Sequence, residues 1–111
     1  MKIDIRDRSG VHVVQVVAEK ITGEDHALLQ TVTPLLDAPG ARIVIDLSQV
    51  KLISSSGLGD LVTLTARANQ YESHVVLAGP SPFVAGVLAT TQLDRFFQVQ
   101  PTVEAAIESL P

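Results

Sequence analysis

Apolar and polar residues alternate along Lys2-Ile-Asp-Ile-Arg6, and the pattern resumes at Val11 to Val17 as VHVVQVV. Turn material, Arg8-Ser9-Gly10, separates the two runs, so the chain is predicted to open with a β-hairpin. Leu28, Leu29, Val32, Leu35 and Leu36 then recur at helical spacing, with Thr22 and Asp25 as candidate caps. Pro34 interrupts that helix, because it has no N–H and disfavours helical geometry at Thr33. A kink or an irregular end is therefore expected there.

After Pro39-Gly40, the short apolar run Arg42 to Leu47 fits a buried strand. From Leu58 onward, Leu58, Leu61, Val62, Thr65, Ala66 and Ala68 fall on one helical face. Val75 to Ala78 is a second buried-type strand, ended by Gly79-Pro80. Ser81-Pro82 supplies a cap and a first-position proline for a helix through Phe83 to Ala89. Phe96, Phe97 and Val99 suggest a last short strand, and Pro101-Thr102 opens a terminal helix with Val103, Ala106, Ile107 and Leu110 on one face. The order β-β-α-β-α-β-α-β-α predicts an α/β domain: a mixed sheet of four to five strands, largely parallel, with about four helices packed around it.

Composition narrows the classes of function. A chain of 111 residues makes one compact domain, and 46% apolar residues with few aromatics imply a core of Val, Leu, Ile and Ala. The net charge is −4 and the eight Lys and Arg are scattered, so the basic stripe of a nucleic-acid binder is missing. With no cysteine there is no disulfide framework, thiol nucleophile or thiolate metal site. The opening MKIDIRDRSG lacks the apolar core of a secretory signal, and no apolar run approaches the ~20 residues that span a bilayer. A cytoplasmic protein with no direct membrane insertion is expected.

The chemistry-bearing stretch is Asp46 to Asp60, DLSQVKLISSSGLGD. As a dinucleotide fingerprint it fails, because Val62 stands where the third glycine belongs. As a P-loop it fails too, because Asp60-Leu61 replace the Lys-Ser/Thr pair and a carboxylate would repel phosphates. A serine-hydrolase elbow would need glycine where Ser54 sits, and no spacing links His12, His26 or His74 to Ser56. These histidines read as surface residues, no pair of them is spaced for a metal, and no cofactor is implied. Two readings remain for the serines. They are helix caps, with glycines that let helix and sheet approach closely. Alternatively, Ser56 before Gly57 is a phosphoacceptor at a helix N-terminus, where the helix dipole favours a phosphate. A phosphate adds about two negative charges and would weaken docking on a partner, beside Asp60.

The block IVIDLSQVKLISSSGLGDLV (Ile43 to Val62) resembles the STAS domains, and within them the stand-alone bacterial anti-sigma factor antagonists. ITGEDH (Ile21 to His26) and VVLAGPSPFVAGVLATTQLDRFF (Val75 to Phe97) are similar to further parts of the family pattern, and the likeness spans essentially the whole chain. The resemblance implies a STAS-type domain over residues 1–111 and a non-enzymatic partner switch. In such a switch the unphosphorylated domain binds an anti-sigma factor with serine kinase activity and is released on phosphorylation. A phosphatase would reset it.

Matched residue by residue, the resemblance implies that the acceptor is Ser56. Asp25, Ser54, Ser55, Gly57, Leu58, Gly59 and Asp60 form the implied partner interface. The family commonly has Asp two residues before the acceptor, where this chain has Ser54. That departure brings in the alternative of a constitutive, unphosphorylated STAS subunit in a stress-signalling scaffold or a lipid-transport ATPase complex.

Overall fold

The computed structural model describes residues 1–24 and 26–111. The hairpin forms as expected, from β1 (Lys2–Arg8) and β2 (Val11–Val17). Ser9 and Gly10 both have positive φ, 55° and 80°, the pair of left-handed residues that a type I′ turn requires. A two-residue strand, β3 (Lys20–Ile21), precedes α1 (Ala27–Val32). Pro34 acts as the sequence implies: α1 stops at Val32 and the chain continues as a 3-10 turn over Thr33–Asp37.

β4 (Arg42–Asp46) leads through a second two-residue strand, β5 (Leu52–Ile53), into the long α2 (Ser55–Gln70). β6 (His74–Ala78), α3 (Pro82–Thr90), β7 (Gln98–Gln100) and α4 (Val103–Ser109) complete the chain.

The main sheet has the order β1-β2-β4-β6-β7. β1 is antiparallel to β2, and the four strands from β2 onward run parallel in sequence order. The predicted mixed sheet with four helices is therefore the fold. Each parallel step needs a crossover, and α1, α2 and α3 supply them on one face. Val14, Val16, Ile43, Ile45, Val75 and Leu77 point to that face and meet Leu28, Val32, Leu61, Leu64, Val84 and Leu88. Alternate residues Val11, Val13, Val44, Val76 and Ala78 point the other way, onto Ala106 of α4. The central strands are covered on both faces, which is why they read as unbroken apolar runs.

Some expectations are corrected. Ala66, assigned to the apolar face of α2, is exposed, and Leu64 fills that face instead. Phe96 and Phe97 precede the last strand rather than forming it; they follow the 3-10 turn Leu93–Arg95, and Phe97 is buried. Thr22 does not cap α1. The N-cap position is His26, whose side chain makes no capping bond. Asp25, the other candidate cap, lies outside the described residues.

Candidate functional site

The three serines sit where α2 leaves the small sheet formed by β3 and β5. These strands pair in parallel, Lys20 beside Leu52 and Ile21 beside Ile53. Ser54 follows directly in extended geometry, φ −83° and ψ 168°, and is the N-cap of α2. Its Oγ accepts the Gly57 N–H at 3.1 Å and donates to the Thr22 carbonyl at 2.7 Å. Its own N–H donates to the Ile21 carbonyl at 2.9 Å. One residue thus starts the helix and ties it to the end of β3.

The first turn lies very close to that backbone. A Cβ on Gly57 would fall 2.5 Å from the Ile21 carbonyl oxygen. Gly23, at φ +73°, crosses the same turn, and a Cβ there would fall 2.7 Å from the Ser56 carbonyl carbon. Gly59 differs, because a Cβ would meet nothing within 4 Å. Of the two glycines flanking Leu58, one is required by packing and the other leaves an open surface.

Ser55 and Ser56 occupy the first two positions of α2 and are exposed, as is Gly59, while Leu58 is half-buried. Ser54 spends its hydroxyl on capping, so the Ser55 and Ser56 hydroxyls are the ones presented to solvent. Leu52, two residues before Ser54, leaves 43% of its surface exposed and lines a shallow apolar groove with Ile21, Thr22 and Ser54.

Asp60, named in the implied partner interface, is a buried carboxylate. It is 5% exposed, and His26 Nδ1 lies 2.9 Å and 3.1 Å from its two oxygens. An ionised carboxylate only accepts, so this ring nitrogen carries the proton and donates to both oxygens. His26, read from the sequence as an unengaged surface histidine, instead links the start of α1 to the second turn of α2. It adopts a left-handed backbone, φ 53°, and its side chain remains 55% exposed.

A signal for Asp60 was present in the chain. Gly57, Asp60, Leu61, Leu64 and Ala68 are all buried and fall at i, i+3, i+4, i+7 and i+11 on α2. The carboxylate thus occupies an inward position of an apolar stripe, where it needs a partner. Asp60 is also four residues after Ser56, one turn along the same side of the helix. Among the site residues named from the sequence, the structure brings Ser54, Ser55, Ser56, Gly57, Leu58, Gly59 and Asp60 into the first two turns of α2. No group of His, Asp or Glu among the described residues is arranged to hold a metal ion.

The sheet order, the crossovers on one face and the capped α2 define a STAS-type fold. The STAS domain family model matches residues 2–106, and the chain belongs to that family. The chain is similar to an anti-sigma factor antagonist from Mycobacterium paratuberculosis, at 29% identity and a TM-score of 0.79 over 98% of this chain and 92% of that one. An anti-sigma-factor antagonist (STAS) domain protein from Planctomyces limnophilus shares the fold at 22% identity and a TM-score of 0.85, covering 97% of each chain. The fold also recurs in the murine Solute Carrier 26 family member A9 anion transporter, at 14% identity and a TM-score of 0.76. That alignment covers 93% of this chain and 18% of the transporter. None of the described helices is long and apolar enough to cross a membrane.

Proposed function

We propose that the protein is an anti-sigma factor antagonist that works by partner switching, with Ser56 as its phosphoacceptor. In this reading it binds an anti-sigma factor with serine kinase activity while unphosphorylated, and phosphate on Ser56 releases it. A phosphatase restores binding. The observation that carries the reading is the division of labour among the serines. Ser54 is consumed by capping, whereas Ser56 is exposed in the first turn of a sixteen-residue helix, next to a glycine without a side chain.

The switch is electrostatic. A phosphate brings about two negative charges to a turn where Asp60 is buried and held by His26. The α2 residues around Ser56 are uncharged and partly apolar at the surface, with Ser55, Leu58 and Gly59 exposed or half-exposed. A partner that buries this surface would have to desolvate the new dianion, and binding would weaken. Asp25, Ser54, Gly57 and Asp60 complete the proposed interface, with Gly57 and Asp60 shaping it from beneath.

Ser54 in place of an aspartate favours one second reading, a constitutive STAS subunit of a larger assembly. As a cap, Ser54 does what a carboxylate would do, because Ser and Asp are comparable N-caps. It also donates to the Thr22 carbonyl, which an ionised aspartate cannot. The missing feature is therefore a charge that a kinase could recognise.

Incubation with an anti-sigma kinase and ATP, followed by peptide mapping, separates the readings. Phosphate on Ser56, together with loss of partner affinity in Ser56→Asp, is the expected result. No incorporation by a kinase active on a control substrate, with unchanged affinity in Ser56→Asp, would leave the constitutive subunit.

A further inference from the structure

β1 is the open edge of the main sheet. Its seven residues pair with β2 in one unbroken register, from Lys2 beside Val17 to Arg8 beside Val11, with no bulge and no proline. The opposite edge, β7, has three residues. Long regular edges are templates for another strand unless they are shortened, bulged or charged. β1 is charged, but its signs alternate.

The hairpin turn determines which backbone groups remain free. A two-residue type I′ turn at Ser9-Gly10 makes Arg8 and Val11 a hydrogen-bonded pair. Alternation along an antiparallel ladder then makes Arg6–Val13, Asp4–Gln15 and Lys2–Val17 bonded pairs as well. The N–H and C=O groups of Ile3, Ile5 and Asp7 consequently point outward. Ile5 is 41% exposed at this edge. Asp4, half-buried, and Arg6, exposed, lie on the opposite face with no ion pair to any described residue, whereas Arg8 is held by Glu104 at 3.5 Å.

We propose that β1 is a homodimerisation edge, pairing antiparallel with β1 of a second copy about a two-fold axis at Ile5. In this register Ile3, Ile5 and Asp7 face the partner's Asp7, the partner's Ile5 and the partner's Ile3, so every outward backbone group of the three is satisfied. Asp4 falls opposite the partner's Arg6 in a non-hydrogen-bonded pair, the arrangement in which facing side chains are closest. Symmetry repeats that ion pair. An axis at Asp4 or at Arg6 would instead oppose like charges at the centre. An axis at Ile3 would leave residues 6–8 unpaired. The one like-charge pair, Lys2 with the partner's Arg8, falls at the strand ends, where Glu104 already engages Arg8. The second copy is thus selected by charge complementarity of the edge with its own reverse, independently of any event at Ser56.

Charge reversal tests this directly. Light scattering over a concentration series is expected to show a dimer for the native chain and monomers for Asp4→Arg and for Arg6→Asp. Each single reversal alone sets like charges opposite one another. An equimolar mixture of the two variants is expected to restore the dimer, because both facing pairs then have opposite signs. A native chain that stays monomeric at its highest soluble concentration overturns the proposal, as does a dimer indifferent to both reversals. Circular dichroism of each variant verifies folding. Independently, Ile5→Cys is expected to form a disulfide-linked dimer on mild oxidation, since facing bonded residues lie about 5.5 Å apart at Cα. The native chain has no cysteine, so the link is unambiguous. Linkage through Ile3→Cys but not Ile5→Cys overturns the register.

Discussion

α2 and α3 begin with the same device. Ser54 caps α2 through the Gly57 N–H at 3.1 Å, and Ser81 caps α3 through the Val84 N–H at 3.3 Å. Beyond the cap the two starts diverge. α3 continues with Pro82 and an exposed Phe83, an apolar first turn. α2 continues with two exposed serines, a glycine pressed against Ile21 and, one turn further on, a buried carboxylate held by His26. A serine at a helix start is therefore ordinary in this molecule. The α2 start is distinguished by how tightly its far side is tied to the β3 end, while its near side is left polar and open.

The largest expected effect tests that tie. Gly57→Ala would drive a methyl group to 2.5 Å from the Ile21 carbonyl, so β3 or α2 must move. Overpacking of this kind costs about 1–3 kcal/mol. Gly86→Ala in α3 meets nothing within 4 Å and should instead stabilise by roughly 0.5–1 kcal/mol, the gain of alanine over glycine in a helix. Chemical denaturation of the two variants should shift the midpoint in opposite directions. Equal shifts would mean the α2 start is no more constrained than α3.

The second effect concerns the buried carboxylate. His26→Ala leaves Asp60 at 5% exposure without its donor, and an unsatisfied buried acceptor costs about 1–3 kcal/mol. The lower end is expected, because the His26 side chain is itself half-exposed and water can replace it. Amide hydrogen exchange should accelerate through the first two turns of α2 while the start of α3 stays protected. Uniform acceleration would show that the pair contributes only to global stability.

These two effects mark where sequence reading succeeds and where it stops. The central strands were readable because burial on both faces demands unbroken Val and Ile runs, and Pro34 was readable because a missing N–H acts locally. The 3-10 turn over Thr33–Asp37 is the result. β3 and β5, at two residues each, carry no periodicity and are held by long-range backbone bonds, from Lys51 and Leu52 to the Glu19 carbonyl and from Ser54 to the Ile21 carbonyl. The His26–Asp60 bond joins positions 34 residues apart, so no local pattern announces it. Asp60 alone could have been flagged, because it interrupts the buried stripe of α2. The apolar character of Phe96 and Phe97 predicts strand, but Phe97 buries its ring just before the strand begins.

A smaller effect compares the caps themselves. Ser81→Ala should cost about 1 kcal/mol, the ordinary value for an N-cap. Ser54→Ala should cost more, because the same hydroxyl also donates to the Thr22 carbonyl. Ser54→Asp keeps the cap, loses that donation and adds a charge at the helix N-terminus, where negative charge is favourable. Its stability should fall between the native chain and Ser54→Ala. In the partner-switching reading it should also raise the rate of Ser56 phosphorylation. A gain in rate without a gain in stability would place the role of that position in kinase recognition rather than in capping.

The smallest effect on stability belongs to Ser56. Its hydroxyl is exposed and makes none of the bonds that hold the turn, so Ser56→Ala should stay within about 0.5 kcal/mol of the native chain. Function should respond in the opposite sense, with phosphate incorporation abolished and partner binding locked on. That inversion is the sharpest consequence of comparing the two helix starts. The residues beneath the α2 turn govern whether it forms, whereas the Ser56 hydroxyl, which the partner-switching reading modifies, does not hold it together. If Ser56→Ala destabilised the fold as much as Ser54→Ala, the hydroxyl would be structural, and the separation between cap and acceptor would fail.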